Sequence, residues 1–284
     1  MMENTFRSLG VGMLTIFLIW FTLRYFMKSL IVNPVKGIER VARRVGEGDL
    51  SVQASVTSSD EIGNLGLSIN EMVLGLRERL HLQKFVSNQT VTAMRNADLE
   101  GVKLGGERKT ATVFFSDIRG FTSFSESLEP ERVIAMLNVC LASQAAIIKK
   151  HGGDIDKYVG DELVAVFEGS GMADRAVLAA REIMRGLSAI TDAPDAAAMK
   201  IGIGINTGEM VMGAMGSPER MDYTVIGDSV NLGARLCSAA NGGQILLSGK
   251  TFAALENKSV FELRSLPPIS VKGKAAPIEI WEVV

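Results

Sequence analysis

Between Thr110 and Phe167 the chain places an aspartate beside a glycine-bearing turn twice, each time next to a run of β-branched and aromatic residues. The stretch begins TATVFFSDIRGFTSFSE and ends HGGDIDKYVGDELVAVF. Thr112 to Ser116 has the composition of a buried strand, and Asp117 follows it. Tyr158-Val159-Gly160 before Asp161, and Leu163 to Phe167 after it, have the composition of a hairpin. Between them Pro130 to Lys150 reads as a helix: Pro130 suits the first turn and Gly152-Gly153 stops it. In such a strand–helix–hairpin unit the hairpin can pair beside the first strand. Asp117 and Asp161, more than forty residues apart, then meet at one edge of a sheet.

Two carboxylates at one edge repel unless one is protonated or a cation lies between them. Hard divalent ions such as Mg²⁺ are held by one or two carboxylates together with substrate phosphates. Two such ions about 3.5–4 Å apart clamp the attacking and leaving oxygens in many phosphoryl transfers. The residues therefore suit a metal–nucleotide site. They equally suit two aspartates that each close a strand end or a turn, and spacing alone leaves both readings open.

Composition narrows the classes. Of 284 residues 47% are hydrophobic and 22% charged, which is ordinary for a folded chain. A net charge of −2 gives no field that would draw nucleic acid, so no nucleic-acid partner is expected. Cys140 and Cys237 lack metal-ligand spacing and read as reduced core thiols. With only His81 and His151 available, a histidine-based zinc site or a Ser–His–Asp hydrolase is disfavoured.

Leu9 to Met27 is apolar except for Arg24 near its end. A span needs about 20 apolar residues, and a terminal Arg can reach the headgroups. Trp20, Tyr25 and Phe26 cluster towards the same end. Lys28, Lys36, Arg40, Arg43 and Arg44 follow, against Arg7 and Glu3 in front. The positive-inside rule then places the remainder in the cytoplasm. The expectation is a single-pass protein of the plasma (inner) membrane, with residues 1–8 as a short tail. A cleaved signal peptide would need a small-residue site, and Arg-Tyr-Phe-Met-Lys is not one.

Asn33-Pro34 reads as a break. Ile38, Val41 and Val45 are helical in spacing, and Gly46 to Leu50 ends that helix. Ser51 to Ser59 is extended. Ser59 or Asp60 caps a second helix, with Ile62, Leu65, Ile69, Met72 and Leu76 on one heptad stripe. Residues 28–80 resemble a HAMP-type signalling linker, carried by Pro34, Glu39, Gly48-Asp49-Leu50, Asp60-Glu61-Ile62-Gly63 and Asn70. In a dimer two such helix pairs form a parallel four-helix bundle. Arg77 to Ala97 continues helical, with Leu80, Phe85, Val86 and Val91 expected inside. Residues 81–106 are read as a coupling helix and hinge.

Beyond the central stretch, Gly171 to Ile190 reads as a helix and Thr191 to Ala198 as a loop. Met199 to Asn206 and Glu209 to Met215 read as two partner strands. Gly202 and Gly204 in the first mark a close approach by ligand or backbone. Met221 to Ile226 is a short strand, and Gly227-Asp228 opens a helix on which Asn231 and Arg235, four apart, share a face. Gln244 to Leu247 and Phe261 to Leu266 are strands. Ile269 to Lys274 and Pro277 to Val283 read as a closing hairpin.

Residues 107–284 resemble the catalytic domain of class III nucleotide cyclases. FSDIRGFTSFSE, KYVGDELVAVF, GINTGE, DYTVIGDSVNLGARL and VKGK occur in order over the whole domain. The resemblance implies an α+β, ferredoxin-like fold, βαββαβ with additional C-terminal strands. It implies two Mg²⁺ or Mn²⁺ ions held by Asp117 and Asp161 with the Ile118 carbonyl. Lys157 and Thr224 would read the base, Asn231 orient the ribose, and Arg235 stabilise charge at the α-phosphate. Backbone amides at Phe121 and Thr122 would cradle the outer phosphates, and Lys272 is a candidate phosphate contact.

Adenine presents an acceptor at N1 and a donor at N6, matched by a Lys donor and a Thr acceptor. Guanine reverses both, and guanylyl relatives carry an acidic residue at the Lys157 position. The resemblance therefore implies an adenylate cyclase making cyclic AMP and pyrophosphate from ATP. Thr224, where many relatives have Asp, is similar to the subgroup that includes bicarbonate-responsive cyclases. In this family the site forms between two domains, so one chain with a complete set is expected to pair as a homodimer through its catalytic and HAMP-type segments. Gly233 departs from the usual alanine and is expected to loosen its helix. The alternatives are a non-catalytic or partner-dependent transmitting module and a guanylate cyclase. A diguanylate cyclase lacks its signature here, since His151-Gly152-Gly153-Asp154 continues as Ile155.

Overall fold

The structure, a computed structural model, describes residues 2–97, 103–126, 128–187, 199–217, 219–271 and 276–284. The loop expected over Thr191 to Ala198, the lysines flanking Gly273 and the start of the hinge at Asp98 lie outside the described residues. The chain divides into two compact units, Met1–Phe85 and Val86–Val284.

The first unit begins with α1 (Met2–Met27), whose side chains from Leu9 to Met27 are almost all exposed. Asn33-Pro34 does not break the chain. A π-helical segment, Lys28–Val32, joins α1 directly to α2 (Asn33–Gly46). Proline has no N–H to donate and crowds the carbonyl one turn back. The widened ladder just upstream and the placement of Pro34 in the first turn of α2 accommodate both defects. Gly48, at φ 90°, then turns the chain. Asp60 caps α3 (Glu61–Leu82), accepting from the N–H groups of Ile62 and Gly63 at 3.0 Å each. Asn70 clasps the extended connector at Ala54 in both directions, at 2.7 and 3.0 Å.

A small core gathers Ile38, Val41, Val52 and Ala54 with Val45, Ile62 and Ile69. The heptad stripe therefore splits: Ile62 and Ile69 pack inward, while Leu65, Met72 and Leu76 stay exposed. One helix over 77–97 is also not what forms. α3 ends at Leu82, a 3₁₀ turn covers Gln83–Phe85, and Ser87 caps a new helix, α4 (Asn88–Asn96). Leu80, Phe85 and Val86 are exposed rather than buried, and Val91 is half-buried.

The second unit is built on an eight-stranded sheet in the order β2-β3-β1-β4-β6-β8-β7, with β5 beside β4. Here β1 is Gly105–Ile118, β2 Asp154–Val159, β3 Glu162–Phe167, β4 Ile201–Ser217, β5 Arg220–Ile226, β6 Ile245–Ser248, β7 Leu263–Ile269 and β8 Ile278–Val283. The helices are α5 (Phe121–Ser125), α6 (Pro130–Lys150), α7 (Met172–Leu187), α8 (Asp228–Ala239) and α9 (Gly249–Ala254). The run β1-α6-β2-β3-α7-β4 is a βαββαβ unit with antiparallel pairing throughout, and the later strands extend it. Alternation on β1 divides the core. Phe114 and Ile118 pack with Met136, Cys140 and Ile148 of α6 and with the alanine face of α7. Ala111, Val113 and Phe115 face the other way, towards Val230, Ala234 and Cys237 of α8. α6 is apolar and long enough to cross a bilayer, yet Met136, Cys140 and Ile148 bury it on the sheet. Both cysteines are free and buried.

Two strand assignments are corrected. Ile201–Asn206 and Glu209–Met215 are not partners but lie in the single strand β4, paired with β1 from Ile201 to Ala214. Gly208 is not a turn: its missing side chain leaves room for Ser229 of α8, whose Oγ lies 2.5 Å from where a Cβ would stand. The closing hairpin is β7 with β8, so the strand read as ending at Leu266 runs on to Ile269. Pro267 and Pro268 are tolerated because β7 is an edge strand and its register slips there.

Candidate active site

Asp117 is the penultimate residue of β1, paired with Gly202 of β4. Asp161 sits in the β2–β3 turn after Gly160, whose φ of 64° favours glycine. The Ile118 N–H donates to Asp161 Oδ2 at 3.3 Å, so the end of β1 that carries Asp117 is tied to the turn that carries Asp161. Burial first, then Asp117, push the Asp161 carboxyl up to about 6. Glu162 is pushed up by burial and by both aspartates. This crowding of carboxyls is relieved on one side by Arg119. Its guanidinium donates to Asp117 Oδ2 at 2.7 Å and to the Cys237 carbonyl, lying over Gly202 where a Cβ would stand 2.6 Å from Arg119 Nε. Among the described residues no group of three or more His, Cys, Asp or Glu is arranged to hold a metal. The oxygen pair nevertheless fits a hard divalent ion whose remaining ligands are carbonyl, water and phosphate oxygens. A pair of carboxyls held together against their own repulsion is what such an ion relieves.

A second cluster lies on the sheet face that carries α8. Lys157 Nζ donates to Thr224 Oγ1 at 2.6 Å, and Thr224 Oγ1 donates to Asp156 Oδ2 at 2.9 Å. Lys157 Nζ also stands 3.3 Å from Asp156 Oδ2. A β-bulge explains how Asp156 and Lys157, neighbours in a strand, come to serve one site. Ile155 pairs with Ala165 and Lys157 with Val164, leaving Asp156 as the extra residue. The slip turns Lys157 to the face of Val164 and Phe115, away from the α6 side where Ala165 packs. The Asp156 side chain is 1% exposed, and its Oδ1 has no hydrogen-bond partner among the described residues. Burial pushes its carboxyl up, opposed by Lys157 and by the Thr224 hydroxyl.

Asn231 and Arg235 stand one turn apart on α8, Asn231 exposed and Arg235 half-buried. Neither makes a side-chain hydrogen bond or ion pair among the described residues. Phe121 is half-buried and Thr122 exposed at the start of α5, after Gly120 at φ 72°. Lys272 lies outside the described residues. The fold thus brings Asp117 to Asp161 and Lys157 to Thr224, and within one chain no hydrogen bond or ion pair among the described residues joins the two clusters. Sequence reasoning missed Asp156, Arg119 and Glu162. Each adjoins a residue singled out, but only strand register and the approach of α8 show that they face the site.

Gly233 serves the packing of its helix. α8 is continuous, and a Cβ at Gly233 would stand 2.9 Å from Val113 and 3.0 Å from Phe115. The glycine lets α8 lie close on β1.

Residues 106–283 match the adenylate and guanylate cyclase catalytic domain, and residues 26–78 match the HAMP domain. An adenylate cyclase of Anabaena cylindrica is 33% identical over 279 residues, 91% of this chain and 55% of the relative. The chain spans about half the length of the curated relatives it matches first. Among solved structures, the adenylyl cyclase CyaB from P. aeruginosa is 40% identical with a TM-score of 0.60, covering 64% of this chain and 96% of that one. The guanylyl cyclase Cya2 is 38% identical with a TM-score of 0.53, covering 63% of this chain and 94% of that one. With the domain matched almost from end to end, the chain belongs to the family of adenylate and guanylate cyclase catalytic domains.

Proposed function

We propose that the chain is a membrane-anchored adenylate cyclase that converts ATP to 3′,5′-cyclic AMP and pyrophosphate at sites shared between two copies of itself. The observation that carries the choice of base is the Lys157–Thr224 contact at 2.6 Å. The family match covers both activities, and neighbours of similar identity include one of each, so the base-reading residues must decide.

In the reaction the ribose 3′-oxygen bonds to the α-phosphorus, the bond to the β-phosphate oxygen breaks, and the 3′-hydroxyl proton leaves. Asp117, Asp161 and the Ile118 carbonyl would hold two Mg²⁺ or Mn²⁺ ions, which when bound would acidify that hydroxyl and neutralise the leaving pyrophosphate. Lys157 donates to adenine N1 and Thr224 accepts from the 6-amino group. Asn231 orients the ribose, and Arg235 places a cationic donor where charge builds at the α-phosphate. Backbone amides at Phe121 and Thr122 face the outer phosphates. A homodimer supplies Asp117 and Asp161 from one copy and Asn231 and Arg235 from the other. The exposed apolar surface of α1, long and apolar enough to cross a bilayer, supports the membrane anchor. Exposed Leu65, Met72 and Leu76 supply a seam for a dimeric bundle.

The test is product formation by the purified full chain with Mn²⁺ or Mg²⁺, from ATP and GTP in parallel, with Asp117→Ala as the blank. Cyclic AMP from ATP alone, lost in the variant, is the expected result. Cyclic GMP as the main product would give the site to guanine. No product from either, in a folded dimer, would favour a transmitting module.

A further inference from the structure

The base cluster holds a third member, Asp156. It is a buried carboxylate whose partners among the described residues are Lys157 and Thr224. One of its oxygens has no hydrogen-bond partner among the described residues, an arrangement that costs stability and that an apolar residue would avoid. Its position in the bulge means that strand pairing does not call for it either. What it does to its two neighbours follows from counting protons. A threonine hydroxyl has one proton and two lone pairs; a lysine ammonium has three protons and no lone pair. Thr224 gives its proton to Asp156 Oδ2 and receives one from Lys157, which leaves it one free lone pair. Lys157 gives one proton to Thr224 and directs a second at Asp156, which leaves it one free donor. One donor beside one acceptor complements the adenine edge, N1 and the 6-amino group, and opposes guanine, whose N1 donates and whose O6 accepts.

We propose that Asp156 is a positioning residue for base selection: its carboxylate takes the Thr224 proton, fixing that hydroxyl as an acceptor towards the base and Lys157 as the donor beside it. This rests on the reading of Lys157 and Thr224 as the base-reading pair. Without Asp156, the Thr224 hydroxyl is free to rotate and offer its proton outwards, where guanine O6 accepts it. An asparagine of the same shape can present its amide N–H to Thr224 and reverse the hydroxyl outright.

The test compares kcat/KM for ATP and for GTP in the full chain, in wild type, Asp156→Asn, Asp156→Ala and Asp156→Glu. The ATP-over-GTP ratio is expected to fall by about ten- to hundredfold in the Asn variant, less in the Ala variant, and to recover in part with Glu. A purely structural role would lower both substrates alike and leave the ratio unchanged, and that result would overturn the proposal. Equilibrium binding of ATP and GTP to the same proteins gives a second readout that does not need turnover. If the wild type makes no cyclic nucleotide, the catalytic reading falls. The Asp156 proposal then stands or falls on whether the binding ratio shifts in the Asn variant.

Discussion

Burial and a neighbouring carboxyl raise Asp161 to about 6 from an unfolded value near 3.8, and the sign of that shift sets two expectations. A carboxyl raised on folding holds its proton in the folded state between those values and not in the unfolded one. Its effect on stability is therefore to weaken the fold as pH rises from about 4 to 6. A divalent ion needs the ionised form, so its binding strengthens as pH rises through the same interval. The stabilisation that Mn²⁺ confers on the thermal transition should be small at pH 5 and full at pH 7.5. An equal shift at both pH values would remove Asp161 from the ion's ligands.

Helix α8 is seated on the sheet through glycines, and the seating is close. A Cβ at Gly204 would meet the Cys237 backbone N–H and stand 2.6 Å from the Gly233 carbonyl. Gly204→Ala should lower stability by about 2–3 kcal/mol, since backbone cannot yield as a side-chain tip can. It should also displace the helix that carries Asn231 and Arg235, so activity falls further than the melting temperature predicts. Gly233→Ala improves helix propensity but crowds Val113 and Phe115; no gain in melting temperature is expected. These elements also show what a sequence discloses. The β-branched and aromatic run from Thr112 to Ser116 and turn chemistry at Gly160 located β1 and the hairpin, because those signals are local. The GINTGE segment misled at Gly208, which answers to Ser229 of α8 rather than to a turn, whereas Gly204 is the close approach of backbone that it was read to be. The face that Lys157 occupies was hidden for a similar reason: one extra residue at Asp156 reverses the alternation, and only the partner strand reveals it. Pro34 announced a break that the upstream π segment absorbs.

At the scale of the whole molecule, a mixing experiment tests the proposed homodimer, in which Asp117 and Arg235 of one site come from different copies. On the proposed assignment Asp117→Asn removes the metal half and Arg235→Ala the transition-state half. Each alone should be inactive. Co-expressed in equal amounts, half of the dimers are mixed, and each of those carries one intact site of two. Activity should therefore return to about a quarter of wild type. A chain carrying both substitutions should stay inactive in every combination, and failure of the mixture to recover would place the complete site within one copy. The unbroken rod from α1 through Lys28–Val32 into α2 has its own consequence. A π segment holds one residue more than the α-helix it replaces, and one residue is about 100° of rotation. Those five positions set an angular offset between α1 and α2. Deleting one of them should let the segment relax to α-helix and turn α2 out of phase with α1. Cyclase activity of the deletion variant in membranes is expected to be locked away from its wild-type level, whereas an alanine at the same position should leave it unchanged.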